Sequence, residues 1–150
     1  MFRCVASMRH TAMISSKPSS SPKRLTNYAT LTSRQAFLRV RDRGVRQVAA
    51  DFILQADAHA EGHSTIRTGF TASKKIGNAV KRNRAKRRMR AMMQAVLPEH
   101  GMAGTDYVLI ARGTIISADF QIMQADFKKA LKSVHHKLLK NQSDVSRQPA

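Results

Sequence analysis

The chain has 150 residues, of which 27 are Lys or Arg and only nine are Asp or Glu, so its formal charge is +18. This length suits one domain with a real core, and so large a positive charge indicates a phosphate backbone or an anionic membrane as partner. No apolar run approaches the ~20 residues of a membrane span. The single cysteine, Cys4, excludes an intramolecular disulfide and a cysteine-rich zinc site, and a reducing, cytoplasmic compartment is expected.

Residues 1–30 are predicted to form a basic, Ser-rich, disordered arm. The segment contains no acidic residue, and the run Ser19-Ser20-Ser21-Pro22 is typical of a linker. A mitochondrial transit peptide has a similar composition, but we favour a disordered arm, with Met8 or Met13 as alternative starts. Folded structure is expected to begin near Leu31.

A short helix is predicted from Thr32 to Gly44. Thr32 and Gln35 have the spacing of a capping box, and Gly44 is a natural end for the helix. The apolar stripe of this helix contains Phe37, which either anchors the core or belongs to a binding surface. The residues alone favour the core.

Two strands are predicted next, over residues 48–56 and 65–73. The second strand alternates apolar residues with small or polar ones, so one of its faces suits the close approach of a partner. That face holds Arg67, Gly69, Thr71 and Ser73. The connection between the strands carries acidic residues and histidines at alternate positions: Asp57, His59, Glu61 and His63. We favour an exposed loop over a metal site there, because a glycine-containing loop holds ligands in poor geometry.

The most basic stretch of the chain is predicted to be a helix with one side against the core. From Lys81 to Arg90, seven of the ten residues are Lys or Arg and none is acidic. Asn78 is the expected N-cap, and Pro98 and Gly101 are expected stops. Apolar residues recur at helical spacing on one side: Ala85, Met89, Met92, Met93 and Val96. Arginines fall on the other side: Arg84, Arg87, Arg88 and Arg90.

This arginine side differs from an ordinary solvated helix face. A solvated face mixes Lys with Glu, because like charges four residues apart destabilise a helix by a few tenths of a kcal/mol each. The stretch contains no acidic residue to relieve that repulsion. We therefore interpret it as a nucleic-acid-binding surface. Lys74 and Lys75, just before Gly77, could contact a phosphate of the same nucleic acid.

A buried strand and a long helix complete the predicted domain. Residues 106–112 form a near-continuous apolar run, which is typical of a central strand. Ser117 is the expected cap of the last helix, and His135 and His136 are expected at its surface. Its apolar stripe is assigned to the core: Phe120, Met123, Phe127, Leu131, Val134 and Leu138. Residues 140–150 are predicted to be a flexible tail.

The predicted fold is α+β, with the element order α-β-β-α-β-α over residues 31–139. It is a small central sheet with packed helices, in which the basic helix connects the strands of a split β-α-β unit. Motifs of serine hydrolases, phosphate-binding loops and zinc proteases are absent, and the nine carboxylates are scattered. The residues alone thus indicate a protein that binds nucleic acid without cleaving it by itself.

The stretch from Phe70 to Arg90 closely resembles the bacterial ribonuclease P protein subunit family. In that family a strand ending in Ser-Lys-Lys is followed by Gly-Asn-Ala-Val and then by Arg-Asn-Arg-x-Lys-Arg. Every one of these positions matches between Ser73 and Arg87. The resemblance covers about Leu31 to Leu139 and leaves both tails uncovered.

The resemblance implies that a catalytic RNA and this chain together remove the 5′ leader of precursor tRNA by metal-assisted hydrolysis. Mg²⁺ would be held mainly by the RNA and the substrate, and the protein would supply neither a catalytic residue nor a metal ligand. Contacts with the catalytic RNA are carried over to Lys75, Lys81, Arg82, Asn83, Arg84, Lys86, Arg87, Arg88 and Arg90. The cleft for the single-stranded leader is carried over to Phe37, Phe52, Ser73, Lys74 and Asn78.

Two positions depart from the family pattern. Arg41 and Gln55 stand where the family often has an aromatic residue, so we expect weaker stacking in the cleft. The family also implies a left-handed crossover around the basic helix, which the residues alone do not predict, because most crossovers are right-handed. The alternative function is that of a ribosomal protein or RNA chaperone with no role in cleavage. A stand-alone nuclease ranks third, because no acidic cluster is present for metals.

Overall fold

A five-stranded sheet and three α-helices form the computed structural model within the residues it describes, 28–58, 64–145 and 147. The strands are β1 (Tyr28–Thr30), β2 (Val45–Val48), β3 (Phe52–Ala58), β4 (Ile66–Thr71) and β5 (Thr105–Ala111). The helices are α1 (Arg34–Arg43), α2 (Ala79–His100) and α3 (Phe120–Val145), and short 3₁₀ turns precede α2 and α3. The predicted α+β class is confirmed.

The sheet has the strand order β1-β4-β5-β3-β2. β4 is parallel to both β1 and β5, whereas β3 is antiparallel to β5 and β2. Because β4 and β5 are hydrogen-bonded neighbours, the unit β4–α2–β5 is not split by an intervening strand. The term "split" in the predicted fold is therefore wrong, since β3 pairs with the far edge of β5 instead.

The two faces of the sheet carry different helices. On one face, α2 and α3 bury the main core, which includes Met89, Met92, Tyr107 and Phe127. On the other face, α1 lies across β3 and β5 over a smaller cluster. That cluster consists of Leu31, Ala36, Val40 and Val108, with Phe37 and Ile110 partly buried against it. β5 is buried on both faces, as its apolar run predicts.

Two strands were missing from the predicted order. The single strand expected over residues 48–56 is a hairpin, in which Ala49 N donates to Phe52 O at 2.9 Å. Residues 28–30, expected in the arm, form β1, and Leu31 N then donates to Thr68 O. The rest of the predicted arm, residues 1–27, lies outside the described residues. So do His59, Glu61 and His63 of the candidate metal loop.

Two helix ends differ from those predicted, the start of α1 and the end of α2. Ser33 rather than Thr32 precedes α1, and its side chain makes no capping hydrogen bond. Pro98 lies inside α2, which continues to His100 and ends at Gly101, whose N–H donates to Leu97 O at 2.7 Å. Pro98 has no N–H to donate, and only Glu99 and His100 follow it in α2, so the helix ends shortly after the proline.

The last helix begins and ends later than predicted. Asp119, not Ser117, caps it, because Asp119 Oδ1 accepts from the backbone N–H groups of Gln121 and Ile122 at 2.8 and 3.2 Å. Phe120, assigned to the core, is 36% exposed, whereas the rest of the predicted apolar stripe is buried. α3 includes residues 140–145 of the predicted flexible tail. Within the described residues, no helix is both long and apolar enough to cross a bilayer.

Candidate RNA-binding site

The chain turns sharply from the end of β4 into the start of α2. Gly77 has φ 132°, a conformation that favours glycine. Asn78 then caps α2, its Oδ1 accepting from Lys81 N at 3.0 Å, as predicted. Lys74 and Lys75 are exposed in the 3₁₀ turn just before this cap. Two ammonium groups therefore lie beside the positive end of the helix dipole.

The exposed side of α2 forms a cationic surface, which we call the basic face. Its exposed members are Lys81, Asn83, Arg84, Arg87 and Arg90, and its half-buried members are Arg82 and Lys86. The opposite side of the helix is buried as predicted, at Ala85, Met89, Met92, Met93 and Val96. Within the described residues, no Lys or Arg of α2 has a carboxylate within 4.0 Å. The described part of the chain therefore leaves the charge of the basic face unneutralised.

Arg88 does not belong to the basic face. Its Nη1 donates to Ile116 O at 2.9 Å, and its Nη2 donates to Ala118 O. Both carbonyls lie just before α3, so this half-buried guanidinium ties the middle of α2 to the start of α3. The prediction of an RNA contact at Arg88 is therefore corrected to an internal tie, because two of its five N–H groups bind these carbonyls and its Nε is buried.

Arg90 marks the edge of the basic face next to β4. Its guanidinium carbon lies 5.5 Å from the centroid of the Phe70 ring. At an exposed site such a cation–π contact contributes about 0.5–1 kcal/mol of favourable free energy, which stabilises this orientation of the side chain. Arg90 is therefore an oriented cation and remains exposed to a partner.

A second surface lies on the other side of the sheet, beside α1. The half-buried ring of Phe37 lies against Gly69 of β4, and the half-buried Ile110 pairs with Thr71. Ser73 and Lys74 follow Thr71 and are exposed. We call these five residues the α1 surface: Phe37, Thr71, Ser73, Lys74 and Ile110. It combines an accessible aromatic ring with an ammonium group.

A network around Tyr107 fixes the far end of α2. The Tyr107 hydroxyl accepts from Met102 N at 3.0 Å and lies 2.6 Å from His135 Nε2. Burial raises the pKa of Tyr107 to about 12, so its hydroxyl stays protonated and can donate to that nitrogen. Burial and, second, the nearby His100 lower the pKa of His135. His135, expected at the surface of the helix, is half-buried, with its ring against Tyr107.

Comparison with known proteins identifies the family. The model of the family Ribonuclease P matches residues 25–135. The chain belongs to the ribonuclease P protein family. It is 44% identical to the ribonuclease P protein component of Ruegeria pomeroyi over 109 residues, which are 71% of this chain and 86% of that protein. It is 43% identical to that of Paramagnetospirillum magneticum over 108 residues, 69% of this chain and 80% of that protein.

A solved structure agrees with this assignment. The RNase P protein of Staphylococcus aureus is 28% identical and superposes with a TM-score of 0.59, covering 69% of this chain and 92% of that one. The chain is thus a ribonuclease P protein subunit that acts in tRNA 5′ processing. The resemblance drawn from the stretch Ser73–Arg87 is confirmed.

One ribonuclease P cleft residue was carried over wrongly. Phe52 has no exposed surface and faces α3, where its ring meets that of Phe127 edge-on with centroids 5.8 Å apart. It therefore belongs to the main core and does not line the α1 surface. Strand residues alternate between faces, and Phe52 points to the face opposite α1.

The two departures from the ribonuclease P pattern have different surroundings. Arg41 is exposed, and its Nε lies 2.9 Å from Asp42 Oδ1. Gln55 is only 7% exposed and pairs with Val108 under α1. Arg41 thus adds an accessible guanidinium near the end of α1, whereas Gln55 is not available to a large ligand.

Among residues 28–58, 64–145 and 147, no three His, Cys, Asp or Glu side chains are grouped so that they could hold a metal ion.

Proposed function

We propose that the basic face binds the catalytic RNA of ribonuclease P, and that this RNA performs the cleavage of precursor tRNA. The observation that carries the proposal is the unneutralised charge of the basic face, held on a helix whose other side is buried. Side chains on a fixed helix lose less conformational freedom when they meet a partner than those of a flexible tail. The geometry therefore suits a rigid polyanion such as folded RNA.

Phosphate contacts explain why arginine dominates this surface. A guanidinium can donate two parallel hydrogen bonds to one phosphate, which an ammonium cannot do. Neutralising phosphates also releases counterions, which makes the affinity depend on salt. Arg84 and Arg87, both exposed and close to one helical turn apart, are the expected centre of this contact.

We further propose that the α1 surface receives the 5′ leader of precursor tRNA. The half-exposed ring of Phe37 can stack on an unpaired base, and Lys74 can contact a leader phosphate. Neither contact selects a base sequence, since every base has a π-face and every nucleotide has a phosphate. Such a surface suits a protein that must accept many different leaders. Asn78 lies beside it, with its Oδ1 already used as the cap.

In this proposal the metal ions belong to the RNA. Mg²⁺ would be held mainly by the catalytic RNA and the substrate and would supply an activated water for hydrolysis. The side chains of this chain neutralise phosphates, hold the leader in place and take no part in bond cleavage. The protein would do this in the cytoplasm, and its partners would be the catalytic RNA and precursor tRNA.

The test is a cleavage assay on precursor tRNA at low Mg²⁺. We expect no cleavage by the protein alone, slow cleavage by a bacterial ribonuclease P RNA alone, and faster cleavage by both together. The variant Arg84→Ala/Arg87→Ala should lose most of the stimulation. Its matched control, Lys128→Ala/Lys132→Ala, removes the same charge from exposed positions of α3 and should keep the stimulation. Cleavage by the protein alone, or no stimulation of the RNA, would contradict the proposal.

A further inference from the structure

A cavity of about 200 Å³ lies beside the basic face and has no part in the proposed function. β1 and β4 form one wall of the cavity, and the second half of α2 forms the other. Six of the lining residues bear on its chemistry: Tyr28, Thr30, Thr68, Phe70, Arg90 and Gln94. The cavity is on the α2 side of the sheet, so it is separate from the α1 surface.

The cavity presents planar groups. Tyr28 is 37% exposed, and Phe70 lies under the Arg90 guanidinium at 5.5 Å. Unpaired bases of RNA stack on aromatic rings and on guanidinium planes, and this is the main way in which proteins take up single-stranded nucleotides. A phenol ring and an oriented guanidinium at one cavity therefore suit a nucleobase.

The remaining polar groups suit the edge of a base. Gln94 is exposed one helical turn after Arg90, and its amide can both donate and accept a hydrogen bond. The hydroxyls of Thr30 and Thr68 lie on the sheet side of the same cavity. None of the lining residues in the described part of the chain is acidic, so a phosphate attached to the base would not be repelled.

Size and position indicate which ligand fits. The volume is below the ~300–1,000 Å³ of pockets that take drug-sized ligands, so the cavity has room for about one ring system. Arg90 belongs both to the cavity and to the basic face. An RNA bound along α2 would therefore pass the mouth of the cavity.

We propose that this cavity takes one unpaired nucleobase of an RNA, stacked on Tyr28 and the Arg90 guanidinium and hydrogen-bonded by Gln94. The proposal rests on the proposed function for the presence of RNA on α2. The nucleotide comes either from the catalytic RNA or from precursor tRNA, and the two arms of the test separate these sources.

The test measures binding in two arms with the full chain. One arm measures affinity for the catalytic RNA, and the other measures affinity of the assembled holoenzyme for precursor tRNA. We expect Tyr28→Ala to weaken binding about tenfold in one arm, as for the loss of one base stack. Tyr28→Phe should bind like the wild type. Because no phosphate contact is removed, the salt dependence should not change.

Gln94 provides a second comparison. Gln94→Ala should weaken binding in the same arm as Tyr28→Ala, whereas Gln121→Ala, at an exposed glutamine of α3, should have no effect. Ultraviolet cross-linking of the wild-type chain to the RNA, read by mass spectrometry, should give a base adduct at Tyr28 or Phe70. This measurement needs no variant and so does not depend on how Tyr28→Ala folds.

Three results would overturn the cavity assignment while leaving the proposed function intact. The first is that Tyr28→Ala binds as tightly as the wild type in both arms. The second is that Tyr28→Phe and Tyr28→Ala lose the same amount of binding affinity. The third is that no cross-linked adduct forms at Tyr28 or Phe70. A wild-type chain that binds no catalytic RNA would instead contradict the proposed function, and the cavity assignment with it.

Discussion

The ring of Phe37 lies so close to Gly69 that a Cβ at position 69 would be 2.6 Å from Phe37 Cε1 and 2.7 Å from Cζ. Gly69 thus lets α1 approach the sheet and sets how far the ring stands out. We expect Gly69→Ala to destabilise the fold by about 1–3 kcal/mol through overpacking and to weaken leader binding by displacing Phe37. Urea unfolding and binding of precursor tRNA would measure both effects.

Gly113 supplies the control for that substitution. A Cβ there would meet nothing within 4 Å, so Gly113→Ala should change stability by no more than about 0.5 kcal/mol. Equal stability of the two alanine variants would show that the contact between Phe37 and Gly69 does not constrain α1.

Neighbouring arginines of α2 should have opposite roles. Arg88→Ala leaves the carbonyls of Ile116 and Ala118 without their guanidinium donor, so we expect a loss of about 1–3 kcal/mol in the free energy of unfolding. Arg87→Ala removes an exposed cation and should weaken binding of the catalytic RNA with little change in stability. Unfolding and RNA-binding measurements on both variants test this. The same loss of stability in both variants would contradict the assignment of Arg88 as an internal tie.

His135 should make stability depend on pH. Its pKa is lowered in the folded state, so the unfolded chain takes up a proton first as the pH falls below about 6.5. Stability should therefore decrease between that pH and the lower folded pKa. The decrease should be smaller in His135→Gln and unchanged in His136→Gln, the exposed neighbour. Urea unfolding at pH 7.5 and 5.5 measures the difference, and an identical pH dependence of wild type and His135→Gln would contradict it.

Lys74 should act on the substrate rather than on assembly. It is exposed in the 3₁₀ turn that follows β4, before the N-cap of α2 and away from the middle of the basic face. We expect Lys74→Ala to weaken binding of long-leader precursor tRNA several-fold and to change binding of the catalytic RNA less. Precursors with long leaders and with no leader, compared on the same holoenzyme, separate the two effects. Equal affinity of the wild type for both substrates would count against the α1 surface.

Helical and strand periodicity predicted most of what positions the basic face. The spacing of Met89, Met92 and Met93 correctly placed the buried side of α2, because residues three or four positions apart lie on the same face of a helix. The same spacing put Arg88 on the exposed side. Its acceptors, Ile116 and Ala118, lie 28 and 30 residues further on, and no local pattern encodes them.

The remaining differences also come from contacts between distant parts of the chain. β1 has only three residues and depends on pairing with β4, so no alternation reveals it. Phe52 and His135 were misplaced for a related reason. The packing of α3 on the sheet decides which face of the sheet buries Phe52. It also decides which side of α3 contacts Tyr107. The family resemblance predicted which residues belong to the site, but it did not predict these contacts with distant parts of the chain.

The affinity of the protein for the catalytic RNA as a function of salt is the most direct test of the RNA contact made by α2. Arg84→Ala/Arg87→Ala should weaken binding at moderate salt. In this variant the slope of log affinity against log salt should become shallower by about 0.7–0.9 for each lost phosphate contact. The control Lys128→Ala/Lys132→Ala should keep the wild-type affinity and slope. Wild-type affinity and slope in the arginine variant would contradict the account.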